Sequence, residues 1–226
     1  MLNKIFSTMG VALIVAASAS LVAPAAQAQT EQEKLVNASE ATLSNFMRDP
    51  EMKWLQQNFG RAKAVMISPE IVKAGFIFGG SGGRAIVVAK ADGKWVGPAF
   101  YTMATASVGF QAGVAVSEMV TLVMTDKGLN SLLAASFKMG GDASVAAGPV
   151  GAGAKSDVVA DLITFTRAKG IYGGLNLDGT LVNLTDDWNK AYFGKAVLPP
   201  DILVRANVSN RHADKLLAGV TAAAKK

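Results

Sequence analysis

The chain has 226 residues, with 22 lysines and arginines against 17 aspartates and glutamates, for a formal charge of +5. It contains no cysteine, so it forms no disulfide or thiolate metal site and offers neither a thiol nucleophile nor an acylated cysteine. The basic residues are scattered along the sequence rather than gathered in runs, which excludes a nucleic-acid footprint and leaves a mild preference for anionic surfaces.

Lys4 precedes an apolar run over residues 5–23, Pro24 breaks it, and Ala26-Gln27-Ala28 follows as a small-residue cleavage site. This is the pattern of a secretory signal peptide over residues 1–28, cleaved after Ala28. Residues 29–226 are then long enough for one domain with an ordinary hydrophobic core. The first mature segment carries Leu35, Val36, Leu43, Phe46 and Met47 at helical spacing, and Asp49-Pro50 ends it. A short helix over residues 51–59 is expected to bury Trp54, Leu55 and Phe59, followed by a strand over 62–67. Ser68-Pro69-Glu70 has the form of a helix start, with Gly75 able to close that helix.

From residue 75 to about residue 184 the pattern turns β-rich and glycine-rich. Residues 85–90 and 94–96 flank Asp92-Gly93, and residues 171–177 and 180–184 flank Asp178-Gly179; both pairs are hairpin turn signals. Further strands are expected over 99–107, 109–117, 119–125, 137–147 and 159–168. Hairpins argue for antiparallel pairing, and the glycines inside the strands argue for bending. The expected class is therefore α+β: a curved antiparallel sheet or partly closed barrel, flanked by N-terminal and C-terminal helices. Helices over 126–135, 186–193 (capped by Thr185) and 210–224 complete the chain.

Catalytic signals are sparse. Gly80-Ser81-Gly82-Gly83-Arg84-Ala85 matches the dinucleotide pattern letter for letter, but Ile86-Val87-Val88 follows as strand where the motif needs a helix. A glycine-rich turn is the expectation, its free amides and Arg84 being available to an anionic headgroup. His212, the only histidine, stands in a polar stretch with no nucleophile elbow elsewhere in the chain. No metal-ligand spacing occurs, and no cofactor is implied. Two strand faces mix cations with apolar residues: Arg84, Ile86, Val88 and Lys90, then Ile163, Phe165, Arg167 and Lys169. Such faces suit either an acyl chain with its phosphate or a strand running from core to rim.

The run Ile71-Val72-Lys73-Ala74-Gly75-Phe76-Ile77-Phe78-Gly79-Gly80-Ser81-Gly82-Gly83-Arg84 resembles the SYLF domain family. The likeness continues through Asp92-Gly93-Lys94-Trp95-Val96-Gly97-Pro98-Ala99-Phe100-Tyr101 and Ser107-Val108-Gly109-Phe110-Gln111-Ala112-Gly113. It recurs at Asp142-Ala143-Ser144-Val145-Ala146-Ala147-Gly148-Pro149, Arg167-Ala168-Lys169-Gly170-Ile171-Tyr172-Gly173-Gly174 and Asn189-Lys190-Ala191-Tyr192-Phe193-Gly194. The resemblance implies a non-catalytic lipid-binding module whose eukaryotic members also bind actin. For a bacterial exported member it implies peripheral contact with anionic phospholipid or a fatty-acyl ligand in the cell envelope, in the periplasm. A scaffold or protein-interaction module without a lipid is the alternative. The headgroup candidates are Arg84, Lys90, Lys94, Arg167 and Lys169. The glycine-rich loop is Gly79, Gly80, Ser81, Gly82 and Gly83, and the apolar contact candidates are Phe76, Phe78, Trp95, Phe100 and Phe110. Ala85 and Ala104-Thr105-Ala106 stand where the family commonly has glycine, which stiffens the backbone there.

Overall fold

The computed structural model describes residues 29–75, 78–108, 113–151, 158–170 and 177–225. The expected leader, residues 1–28, lies outside that set, as do Phe76, Phe110 and the expected strand residues 171–176. Helix α1 (Glu31–Phe46) opens with a reciprocal cap in which Glu33 N donates to Thr30 Oγ1 and Thr30 N donates to Glu33 Oε2. Short α2 (Lys53–Asn58) lies between 3-10 turns at Pro50–Met52 and Phe59–Arg61. As expected, Leu55 and Phe59 are buried; Trp54 is partly so.

Four long strands follow: β1 (Ala64–Gly75), β2 (Phe78–Ala91), β3 (Lys94–Val108) and β4 (Gly113–Val123). The helix expected from Ser68 is absent; the segment continues β1. Ile71 and Val72 are β-branched, and Pro69 sits in a bulge where the register against both neighbours shifts, the place where a strand tolerates proline. Ser68 Oγ donates to Arg84 O at 2.7 Å across that irregularity. The segments expected at 94–96 and 99–107 are one strand, β3, with a register shift near Gly97-Pro98. Those expected at 109–117 and 119–125 fall, where described, on the single strand β4.

Helix α3 (Asp126–Leu133) precedes β5 (Ser136–Lys138), β6 (Val145–Ala147), β7 (Leu162–Gly170) and β8 (Leu181–Leu184). Both aspartyl-glycine turns form, with Gly93 and Gly179 at φ 77° and 81°. The remaining helices are α4 (Asp186–Phe193), α5 (Pro199–Leu203) and α6 (Asp214–Ala223). Thr185 makes no side-chain cap on α4; its hydroxyl meets that of Thr102 at 3.1 Å instead. Asn210 caps a 3-10 turn, Arg211–Ala213, that leads into α6. The proline pair of α5 carried no helical periodicity in the sequence. No helix among the described residues is long and apolar enough to cross a membrane.

The strand order is β5-β8-β3-β2-β1-β4-β7-β6, antiparallel except for β6 against β7. Residues 137–147, expected as one strand, therefore supply the two opposite edges of the sheet. Eight strands laid flat span about 34 Å from edge to edge. The seven steps from Lys138 to Val145 reach at most about 24 Å, and a turn at Gly140 (φ 80°) shortens them. The sheet must curl, as the glycine content suggested. Met139 and Ala143 of this tether share a core cluster with Ala64, Met66, Ala85, Ala89, Ala99, Tyr101 and Met119, which marks the concave face. Alanine there admits tight curvature, and Leu132 of α3 with Ile202 and Leu203 of α5 packs into the same space. The convex face carries Ile86, Val88, Phe100 and Phe165 under Phe46, Leu55, Tyr192, Leu216 and Val220 of the helices.

One carboxylate locks the tether. Asp161 accepts from Thr125 Oγ1 at 2.5 Å and from Ser144 N and Oγ at 2.9 and 2.8 Å, with Lys127 Nζ 3.6 Å away. The Thr125 hydroxyl, then the Ser144 amide and hydroxyl, hold its pKa down at about 2, below the ordinary 3.8. A depressed carboxylate contributes stability that is present above its ordinary pKa and lost as pH falls toward 2. Asp161→Asn is expected to cost roughly 1–3 kcal/mol at neutral pH. In urea unfolding at successive pH values, the wild-type advantage should shrink below about pH 4.

Candidate functional site

Across the convex face, paired residues form rows at right angles to the strands. The first row runs Thr102, Arg84, Glu70 on β3, β2 and β1, then Glu118 and Arg167 on β4 and β7. Helix α1 lies over it. Thr42 Oγ1 donates to Glu118 Oε1 at 3.3 Å, and the Arg167 guanidinium stands 5.2 Å from the centre of the Phe46 ring. Arg167 also donates through Nε and Nη2 to Glu118 Oε2 at 3.0 and 2.5 Å, with Asp49 Oδ2 3.5 Å from Nη1. Arg167 therefore anchors α1 to the sheet, and its charge is taken up inside the fold rather than offered to a headgroup.

Past α1, two further rows carry small apolar residues. They are Ala104, Gly82, Val72 and Val116, then Ala106, Gly80, Ala74 and Val114. Ala74, Ala104 and Ala106 are exposed, Val72 is 40 % exposed and Val114 63 %. This bare strip is four strands wide, about 14 Å across. A groove of about 530 Å³ opens where the strip meets α1. Leu35 and Ala38 of the helix face Val72 and Gly82 of the sheet, Trp188 of α4 closes one end, and Glu31, Lys34, Glu70 and Arg84 stand around it.

The Arg84 guanidinium sits 4.2 Å from the centre of the Trp188 ring, an arrangement that steadies a cation while leaving its donors free. Among the described residues no carboxylate oxygen stands within 4 Å of it, although Glu70 lies opposite it on β1 and lines the same groove. Glu31 is engaged by Lys34 Nζ at 2.7 Å, and that hydrogen bond holds its carboxyl below the usual range, with Arg84's charge adding a smaller pull.

The other sequence candidates separate. The glycine segment 79–83 is not a loop or turn; it lies within β2, flanked by β1 and β3, so its amides belong to the sheet rather than to a phosphate cradle. Its composition has a packing cause: a Cβ on Gly83 would collide with the Glu70 carbonyl at the β1 bulge, and one on Gly80 would meet Thr105 O at 3.0 Å. Trp95 and Phe100 are core residues, Trp95 against Phe59 and Phe100 against Trp188 and Tyr192, and make no ligand contact surface. Lys90 and Lys94 lie at the far end of the β2–β3 hairpin, about 20 Å or more along the strands from Arg84. Lys90 Nζ donates to Gly60 O at 2.6 Å there. The backbones of Phe78 and Lys169 belong to β2 and β7, Lys169 opposite Val116; their side chains lie outside the described set.

Sequence reading missed Trp188, Leu35 and the Val72–Val114 strip. The alternation Val72, Ala74 was available once residues 68–75 are read as strand. Glu118 was also legible as the one charge inside the apolar run of β4.

A curled sheet with a clamped helix and an apolar groove beside a bare strip defines a binding domain, with no catalytic constellation assembled among the described residues. Residues 104–223 match the family profile described as "Ysc84: Las17-binding protein actin regulator", and the chain belongs to this family, the SYLF domain family. It is 30 % identical over 149 residues to SH3 domain-containing YSC84-like protein 1 of Homo sapiens, covering 63 % of this chain and 43 % of that protein. It is 31 % identical over 142 residues to LAS seventeen-binding protein 3 of Saccharomyces cerevisiae, covering 59 % and 31 %. Protein YSC84 of the same yeast is 30 % identical over 142 residues, covering 59 % and 30 %. The matched stretch thus spans less than half the length of these relatives. No solved structure matches the chain.

Removing Arg167 takes the bidentate guanidinium from a buried carboxylate, at a cost of roughly 3–5 kcal/mol. Thermal unfolding should show a large loss for Arg167→Met, most of it recovered when Glu118→Leu is added. Arg84→Ala, at an exposed position, should change stability by less than about 1 kcal/mol.

Proposed function

We propose that the chain is an exported, non-catalytic lipid-binding domain that contacts phospholipid or a fatty-acyl chain in the cell envelope. The observation that carries this reading is the continuous apolar surface formed by the groove and the bare strip, with Arg84 at its rim. Exposed valines on a sheet face are costly in water; covering one fully returns roughly 1.5–3 kcal/mol. A polymethylene chain needs no hydrogen-bond partner, so it suits a floor of Gly82, Val72, Ala104 and Val116, while the guanidinium serves a phosphate or carboxylate at its end. The unengaged donors of Arg84 favour an anionic headgroup over a neutral one.

Export belongs to the same reading and rests on Lys4, the apolar residues 5–23 and Ala26-Gln27-Ala28. Sequencing the N-terminus of the protein recovered from the periplasm should give Gln29 as its first residue. The actin-regulator description of the family gives no periplasmic partner, so the lipid is the ligand carried forward.

Val72→Asp/Val114→Asp should lower affinity for a fluorescent long-chain fatty acid at least about tenfold, since each change puts a charge against the chain. Its melting temperature should stay near the wild type, because both positions are solvent-facing. Arg84→Glu should weaken binding of the anionic probe and spare an uncharged acyl ester. Failure of the wild type to bind either probe would favour a scaffold that uses the strip for protein contact.

A further inference from the structure

Helix α1 begins at the mouth of the groove, and the residue just ahead of its cap carries chemistry that the lipid reading does not use. Thr30 is held twice. Its hydroxyl accepts from Glu33 N at 3.2 Å, and its own amide donates to Glu33 Oε2 at 2.9 Å. Glu31, the next residue, is engaged by Lys34 Nζ at 2.7 Å. Gln29 is exposed, and no hydrogen bond among the described residues engages its side-chain amide. In the full chain the nitrogen of Gln29 is itself an amide, bonded to Ala28. Cleavage after Ala28 turns it into a primary amine, placed to close a γ-lactam on its own Cδ.

We propose that Gln29, once freed by removal of the leader, cyclises to pyroglutamate, so that the mature chain carries no α-amino group. The lone pair of Gln29 Nα attacks Cδ. The Nα–Cδ bond forms, the Cδ–Nε2 bond breaks, and Nε2 leaves as ammonia with the proton that Nα gives up. Nothing is oxidised or reduced, and no co-reactant enters. Both reacting groups belong to one residue, so the step costs no translational freedom, and the exposed position leaves room for the ring. The start of α1 favours the product. An α-amine is largely cationic at neutral pH, and here it would stand beside the positive end of the helix dipole. The carboxylates of the first turn already have partners, Glu31 in Lys34 and Glu33 in the cap. The lactam removes that unfavourable charge.

The position gives the modification a role. Aminopeptidases need a free α-amine, so the ring shields Thr30 behind it. Loss of Thr30 would undo the reciprocal cap on the helix whose Glu31, Lys34, Leu35 and Ala38 wall the groove. The proposal rests on the export reading for the cleavage that frees Gln29, and on no lipid.

The test recovers the protein from the periplasm and reads its N-terminal peptide by tandem mass spectrometry. The peptide should begin at position 29 and be lighter by one ammonia, with the loss placed on residue 29. The recovered wild type should resist a broad-specificity aminopeptidase until pyroglutamyl peptidase removes the ring. Gln29→Ser keeps its amine; it should be trimmed through Thr30 and then melt about 2–4 °C lower, as the loss of one helix cap requires. A periplasmic chain that begins at Gln29 with a free amine overturns the proposal and leaves the export reading intact. A chain that keeps its leader, or begins at another residue, removes the export reading and overturns the proposal with it.

Discussion

Everything else in this fold follows from a short tether between two sheet edges. Because β5 and β6 are neighbours in sequence and opposite edges in space, the eight strands cannot lie flat. Curvature makes the two faces unequal. The concave face fills with alanines, methionines and a few aromatic rings, and is completed by α3 and α5. The convex face is broader and takes α1, α2, α4 and α6. Asp161 ties the tether at Ser144 to the start of α3 at Thr125, so the clamp that fixes the curl also fixes the first helix after the long strands.

The convex helices do not cover the whole sheet, and the reason is electrostatic. A carboxylate buried at Glu118 needs Arg167, and the pair draws α1 down through Thr42, Phe46 and Asp49. That fixes the helix over one row of the sheet. The strands run on beyond it, with rows of alanine, valine and glycine that no other described element reaches. The groove is the step between the covered and uncovered parts. An ion pair that serves architecture therefore decides where the apolar surface lies, and Arg84, stacked on Trp188 with Glu70 opposite it on β1, is left at its rim.

Much of this was legible in the residues. The hairpin at Asp92-Gly93, the curved antiparallel sheet and the flanking helices follow from local rules, whereas Asp178-Gly179 turns into a strand, β8, whose two neighbours are β5 and β3 and not the expected segment 171–177. The misread segments share a cause. Ser68-Pro69-Glu70 has the chemistry of a helix start, but the neighbours on both sides of β1 impose strand geometry and turn the proline into a bulge. Residues 79–83 look like a loop in isolation; they are strand, and Gly83 is required there because the Glu70 carbonyl approaches it. Arg84, Lys90 and Arg167 share an alternation pattern, yet only the strand order shows that they stand in different places with different partners. Periodicity reports which face a side chain takes, and the tertiary pairing decides what that face meets.

The central claim is that an acyl chain occupies the groove between α1 and the glycine-bearing strands, and Trp188 at its end makes a built-in reporter. Fluorescence quenching by a fatty acid brominated along its chain tests this most directly, comparing the wild type with Trp188→Phe. Saturable quenching in the wild type that disappears in Trp188→Phe, with Trp54 and Trp95 left unquenched, is the result predicted. Quenching that persists undiminished in Trp188→Phe, or none in the wild type at concentrations where the fatty acid binds, would contradict it.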